Sequence, residues 1–207
     1  AWLTNGESQL KIWGFADENH KFVSEFGIES PANMDTIRNF FGHEMVEKDK
    51  EIWNHHNCWY IFGLIEALQE KYYKDTEITD MREYVLSGQM IQAEAIKDVL
   101  EKLKGRMYNC SGTLYWQYNE SWAHTGYCIV DYYCKPKQSY YYMKRAFEPI
   151  NIVFVDNKIV AVNDTLANIT VDVEYGYMSL DGKRKYSSYT TIDLAKTSSV
   201  PVVDLAD

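Results

Sequence analysis

Lys21-Phe22-Val23-Ser24-Glu25-Phe26-Gly27 is a short β-forming run that closes on a carboxylate, an aromatic and a glycine. In a strand, Phe22, Ser24 and Phe26 point to one face and Val23 and Glu25 to the other. Gly27 and Pro31 follow, so Glu25 sits where a buried strand runs out into a loop. A carboxylate placed there is held rigidly by the strand yet projects into a cleft, as a catalytic carboxylate requires. The structural alternative is a strand-end Glu that faces water or pairs with an arginine.

Working outward, the next long pattern starts at Thr79. Val85, Met90, Ile91, Ala95, Ile96, Val99, Leu100 and Leu103 form one apolar stripe, with Lys97, Glu101, Lys102 and Lys104 opposite. That spacing predicts a helix over 79–104, with a Lys-rich end that suits the C-terminal dipole and Gly105 as its stop. The charged face is solvated and needs no function. Ser111-Gly112-Thr113-Leu114-Tyr115-Trp116-Gln117-Tyr118-Asn119 follows and reads as a second strand. Strand, helix, strand is the unit of a parallel sheet. In a (β/α) barrel the site collects at strand C-termini. Glu25 would then share one rim with Trp116, Gln117, Asn119, Glu120 and Trp122. The alternative makes Trp116 a core residue and Asn119 a turn residue.

Between the two strands, Asn33 reads as a helix N-cap before Met34, Ile37, Phe40 and Phe41, and Gly42 as the end of that helix. Residues 59–73 read as a further helix. His43, His55, His56 and Cys58 are zinc-type ligands, but the adjacent pair His55-His56 points in two directions on any regular element and no second cluster has matching spacing. No metal site is expected; the other use of such a His is to line a cleft. Residues 1–20 bring Trp2, Trp13 and Phe15 in a loop near the opening strand. Lys137 to Phe147 reads as a helix stopped by Pro149.

After Pro149 the grammar changes. Ile152–Val155 runs to the turn Asp156-Asn157, Ile159–Val162 runs to Asn163-Asp164, and Ile169, Val171, Val173, Tyr175 and Tyr177 alternate with polar residues toward Asp181-Gly182. Short alternating strands with such turns predict an antiparallel β-sandwich. About 58 residues follow Pro149, fewer than the roughly 100 of a whole immunoglobulin-like sandwich, so the sandwich is expected to be incomplete. Residues 1–149 and 150–207 are the two expected domains.

Composition narrows the function classes. The 207 residues are 46% hydrophobic and 25% charged, a globular mixture. A net charge of −9 repels phosphate backbones and argues against nucleic acid. No apolar run is long enough for a transmembrane helix. With 17 Tyr and 6 Trp, a sugar-binding surface or a large aromatic core is favoured. Cys58, Cys110, Cys128 and Cys134 form no CxxC pair and read as scattered thiols. Asn109, Asn119, Asn163 and Asn168 open N-x-S/T sequons, which matter only in a secreted eukaryotic protein. The N-terminus, Ala1-Trp2-Leu3, carries no initiator Met or signal pattern, so the chain reads as a processed product or a fragment and its localisation cannot be read.

The runs FVSEFGIESP, LSGQMIQAEAIKDVLE, GTLYWQYNESW and IVDYYCKPKQSYYYMKRAFEP, in this order, resemble the C-terminal part of β-mannosidases of glycoside hydrolase family 2. The resemblance covers nearly the whole chain and is weakest in residues 1–20 and 42–80. It implies the C-terminal part of a (β/α)8 TIM barrel followed by a partial immunoglobulin-like sandwich. SEFG would close the seventh barrel strand, with Glu25 as catalytic nucleophile. TLYWQYN would be the eighth strand, with Trp116 walling the subsite of the cleaved sugar; Asn119 and Glu120 would bond its hydroxyls. Residues 79–104 would be the helix between these strands and 137–147 the last barrel helix.

The resemblance further implies a retaining exo-β-mannosidase that needs no cofactor or metal, takes a β-linked mannoside or oligosaccharide, and works with the remainder of the same enzyme. The family's acid/base, a Glu after an Asn at the end of the fourth strand, lies before the start of this chain, so the segment alone is expected to be inactive. ESWAHTGYC stands where the family more usually has an Asp-Cys-Trp-Pro type of loop. β-Glucosaminidase, β-galactosidase or β-glucuronidase activity within the family, or a non-catalytic carbohydrate-binding module, are the alternatives.

Overall fold

The computed structural model describes residues 19–41, 50–56, 64–74, 76–78 and 80–205. The expectations placed on Trp2, Trp13, Phe15, Gly42, His43, Cys58, residues 59–63 and Thr79 lie outside the described residues. In chain order the elements are β1 (Val23–Phe26), α1 (Met34–Phe41), α2 (Lys50–His55), α3 (Leu64–Tyr72), α4 (Met81–Gly105), β2 (Thr113–Tyr115) and α5 (Gln138–Ala146). Then come β3 (Ile150–Val155), β4 (Lys158–Asn163), β5 (Ile169–Met178), β6 (Arg184–Leu194) and β7 (Ser198–Asp204). No described helix is long and apolar enough to cross a membrane.

The chain divides into two compact units, one formed up to Leu100 and again by Gly112–Phe147, the other by Glu101–Ser111 and Glu148–Asp207. In the first, β1 and β2 are parallel, with Val23 opposite Thr113 and Phe26 opposite Tyr115. A shift of register between these pairs breaks the strict alternation expected from the sequence. Val23 and Phe26 are therefore both buried, while Phe22 is half-exposed. β2 is shorter than the expected strand because pairing ends at Tyr115.

Helix α4 spans 25 residues. Its start is fixed by the Asp80 carboxylate, which accepts from the Glu83 N–H at 2.8 Å and satisfies one of the free donors of the first turn. Val85, Ile91, Ala95, Ile96, Val99, Leu100 and Leu103 are buried, as the stripe predicts. Gly88 faces the loop after β1 so closely that a Cβ there would lie 2.6 Å from Pro31 Cδ. Ala32, Ile37, Trp53, Ile65, Met81, Tyr84 and Val85 form an apolar cluster in this unit. Asn33 does more than precede α1: its amide donates to Asp131 Oδ2 at 2.8 Å, pinning α1 to the loop before α5.

The second unit is antiparallel. Its sheets run in the order β3-β4-β7 and β5-β6. Asp156 and Asn157 both take positive φ, at 50° and 61°, the geometry of a primed two-residue hairpin turn. Val153, Val160 and Val162 are its buried apolar centre, with Met107 and Val155 against them.

Candidate functional site

Register places the site. Phe26 and Tyr115 are paired across the parallel strands, and their rings meet edge to face at 5.2 Å. Glu25 precedes Phe26 and Trp116 follows Tyr115; in β2 the alternation holds, with Tyr115 turned inward and Leu114 and Trp116 outward. Glu25 is half-buried; Leu114 and Trp116 are about half-exposed, at 56% and 47%. One bond ties the strand ends: the Trp116 N–H donates to the Phe26 carbonyl at 2.8 Å. The approach is so tight that a Cβ on Gly27 would overlap the Trp116 carbonyl oxygen and press on the Tyr127 ring at 3.2 Å. Only glycine fits there. The peptide between Trp116 and Gln117 is cis.

The loops beyond the two strands are then stitched together. Ser30 and Gly126 exchange backbone hydrogen bonds of 3.1 and 3.2 Å. Tyr115 donates its hydroxyl to the Tyr127 carbonyl at 2.6 Å, and burial pushes that phenol well above its ordinary range. Gln92 of α4 is fully buried. Its amide N–H group donates to the Ile28 carbonyl at 2.8 Å and the Tyr127 carbonyl at 3.2 Å, and its oxygen accepts from Ser30 at 2.8 Å and Ser139 at 2.6 Å. Asp131, also buried, accepts from Thr36 at 2.6 Å and from the Tyr133 and Lys135 backbones at 3.1 and 3.0 Å.

The four residues singled out in the sequence fall into two groups. Glu25 and Trp116 lie at the same end of one parallel pair. Asn119 is exposed on the following loop and bridges in parallel to Val130. Glu120 is buried at 6% exposure and engaged inside the protein. Its Oε2 accepts the Cys128 S–H at 2.6 Å and its Oε1 accepts the Tyr132 N–H at 3.2 Å. His124 Nδ1 lies 3.0 Å from Oε2, near enough for an ion pair but off-line for a hydrogen bond. Burial, reinforced by Glu120, pushes the Cys128 thiol up to about 12, so it stays protonated and donates.

His55 and His56 stand nearly perpendicular, at 89°. His56 stacks between Phe40, at 4.3 Å and 6°, and Trp122, at 5.0 Å and 5°, and its Nδ1 meets the Ala123 carbonyl. Among the described residues no group of three or more His, Cys, Asp or Glu could hold a metal ion.

Sequence reading missed Gln89, Gln92, Asp131 and Lys137, all buried polar residues. The available signal was position: Gln89 and Gln92 interrupt the apolar stripe of α4 rather than its charged face. Glu29, four residues beyond Glu25, was also missed. It is 3% exposed, its Oε2 has no hydrogen-bond partner, and burial, then nearby Glu66, raises its carboxyl well above the usual range, against a smaller pull from Lys137.

No family model matches the chain. β-Mannosidase B of Aspergillus terreus is 30% identical over 165 residues, 70% of this chain and 18% of the fungal protein. β-Mannosidase B of Thermothelomyces thermophilus is 28% identical over 171 residues, 74% of this chain and 19% of that protein. The chain thus spans about a fifth of the length of the curated relatives it matches. The crystal structure of a β-D-mannosidase from Dictyoglomus thermophilum superposes with a TM-score of 0.75 and 29% identity, covering 95% of this chain and 25% of that one. An exo-chitosanase of Amycolatopsis orientalis shares the fold at a TM-score of 0.70 and 22% identity, over 93% of this chain and 25% of that chain.

Proposed function

The chain is β-mannosidase-like, of glycoside hydrolase family 2, and from that premise we propose that it forms the C-terminal part of a retaining exo-β-mannosidase. On this reading β1 and β2 are the seventh and eighth strands of a (β/α)8 barrel. Residues 1–149 belong to that barrel and 150–207 begin an immunoglobulin-like sandwich. Glu25 is the nucleophile that attacks the anomeric carbon of a terminal β-D-mannose and forms a glycosyl-enzyme. A second carboxyl, outside these residues, protonates the leaving oxygen and then activates water, since retention requires two carboxyls about 5–5.5 Å apart. Trp116 offers its ring to the C–H face of the sugar and helps to exclude water. Asn119 is the hydroxyl-bonding residue of the loop. Glu120, whose oxygens are engaged within the protein, holds that loop in place.

One observation supports the reading: the Phe26–Tyr115 register and the bond from Trp116 N–H to the Phe26 carbonyl put Glu25 and half-exposed Trp116 at the same end of one parallel strand pair. In the full-length enzyme, Glu25→Gln keeps the size of the side chain and removes the nucleophile. Turnover of an aryl β-mannoside is expected to fall by roughly three orders of magnitude or more; wild-type-like turnover overturns the assignment. A panel of aryl β-glycosides separates mannoside from glucosaminide, galactoside and glucuronide activity.

A further inference from the structure

Lys137, at the N-terminal boundary of α5, has no surface in contact with solvent. Its Nζ donates to the Ser30 carbonyl at 3.1 Å, the Gly126 carbonyl at 3.2 Å and Ser30 Oγ at 3.4 Å. These three oxygens surround the three N–H bonds of the ammonium group, and the Cys128 thiol is a further side-chain partner. Ser30 and Gly126 are also the two residues whose backbones bond one loop to the other. A single side chain therefore fastens the crossing of the loop that leaves β1 and the loop that leaves β2. The Lys137 backbone is fixed as well, its N–H donating to the Ile129 carbonyl at 2.9 Å, so the ammonium is anchored at both ends of its stem.

Burying an ammonium costs several kcal/mol unless its donors are met. Here they are met by loop atoms and not by either apolar cluster. Glu25 lies five residues before Ser30, and Trp116 ten before Gly126. The strands pair over very few residues, so the strand ends depend on the crossing beyond them for their relative position.

We propose that Lys137 is a positioning residue for Glu25 and Trp116: by clamping Ser30 to Gly126 it sets the spacing between the attacking carboxylate and the tryptophan against which the sugar lies. The proposal rests on the reading of Glu25 as nucleophile. It assigns no contact between Lys137 and substrate.

The test uses the full-length enzyme and an aryl β-mannoside. Lys137→Met keeps an unbranched stem out to the ε position and deletes the ammonium with its donors. kcat is expected to fall about 100-fold, the scale of a misplacement near 1 Å, while KM moves less than about threefold. Ser30→Ala keeps the ammonium and both carbonyls and removes Oγ, with its bonds to Lys137 and to Gln92; kcat is expected to fall roughly three- to tenfold with KM little changed, alongside a lowered thermal unfolding temperature from the lost Gln92 bond. If Lys137→Met does not fold, Ser30→Ala decides. Wild-type kcat in a folded Lys137→Met, or in Ser30→Ala where that variant decides, overturns the proposal, as does a loss confined to KM. Glu25→Gln in the same assay separates the two claims. An inert Glu25→Gln beside a fully active Lys137→Met discards the clamp and keeps the nucleophile; an active Glu25→Gln discards both.

Discussion

Glu29 and Asn163 show how burial redefines individual residues. Glu29 is enclosed with one oxygen unpartnered; desolvation, then the nearby Glu66 charge, raises its carboxyl. A carboxyl with a raised folded-state pKa holds its proton more tightly folded than unfolded. Its contribution therefore favours folding below the unfolded value, about 4.3, and is lost as pH climbs toward the raised folded value. Glu29→Gln is neutral at every pH. The variant is expected to match the parent near pH 4 and to exceed it in stability at pH 7, by about 1 kcal/mol or more, in urea unfolding of the full-length protein followed against pH. Asn163 opens a sequon in the sequence, but its side chain is wholly buried. It donates to the Ala167 and Ala195 carbonyls, both at 2.9 Å, and accepts from Thr165. Such an asparagine shapes a turn and is closed to a glycan. Asn168 is exposed.

At the scale of elements, α4 was legible as a helix and only half legible as a device. Apolar spacing gave its length and buried face, and Gly105 its end. The same spacing treats a polar residue as solvated, so it passed over Gln92, whose amide joins the loop after β1, the loop after β2 and the start of α5. Periodicity reports burial, whereas hydrogen-bond satisfaction depends on groups distant in sequence. Gln92→Leu preserves the helix and the apolar volume but leaves the hydroxyls of Ser30 and Ser139 without their acceptor and loop carbonyls without a donor. The expected loss of stability is about 2–4 kcal/mol by urea unfolding; a neutral substitution would show that the amide is incidental. β1 and β2 were legible as a parallel pair from strand, helix, strand. The faces of β1 were not, because the shift between Val23 and Phe26 comes from pairing and not from local sequence. Glu120 illustrates the same limit: an exposed-looking carboxylate beside Asn119 proved to be inward and engaged, since only the folded loop brings Cys128 and the Tyr132 N–H to it.

At the scale of the molecule, the change from helix-and-strand grammar to short alternating strands near Pro149 was visible in the sequence, as were the turns at Asp156-Asn157 and Asp181-Gly182. The neighbours among solved structures extend well beyond the region matched here, which covers about a quarter of their chains. The proposed chemistry follows from that proportion. On the proposed reading, Glu25 and Trp116 supply one side of a site whose second carboxyl stands elsewhere in the enzyme. The residues near Glu25 are closely constrained. Gly27 admits no side chain beneath Trp116, the two loops are bonded at Ser30 and Gly126, and Lys137 and Gln92 lock that crossing from below.

The most direct measurement is to trap the covalent intermediate. A 2-deoxy-2-fluoro-β-mannosyl fluoride slows both steps of double displacement but releases a good leaving group, so the glycosyl-enzyme accumulates. Digestion and mass spectrometry of the inactivated full-length enzyme should then place the sugar on Glu25, in the peptide containing Lys21 to Gly27. A label on any other residue, or steady β-mannoside turnover by the Glu25→Gln enzyme with no label in that peptide, would contradict the account.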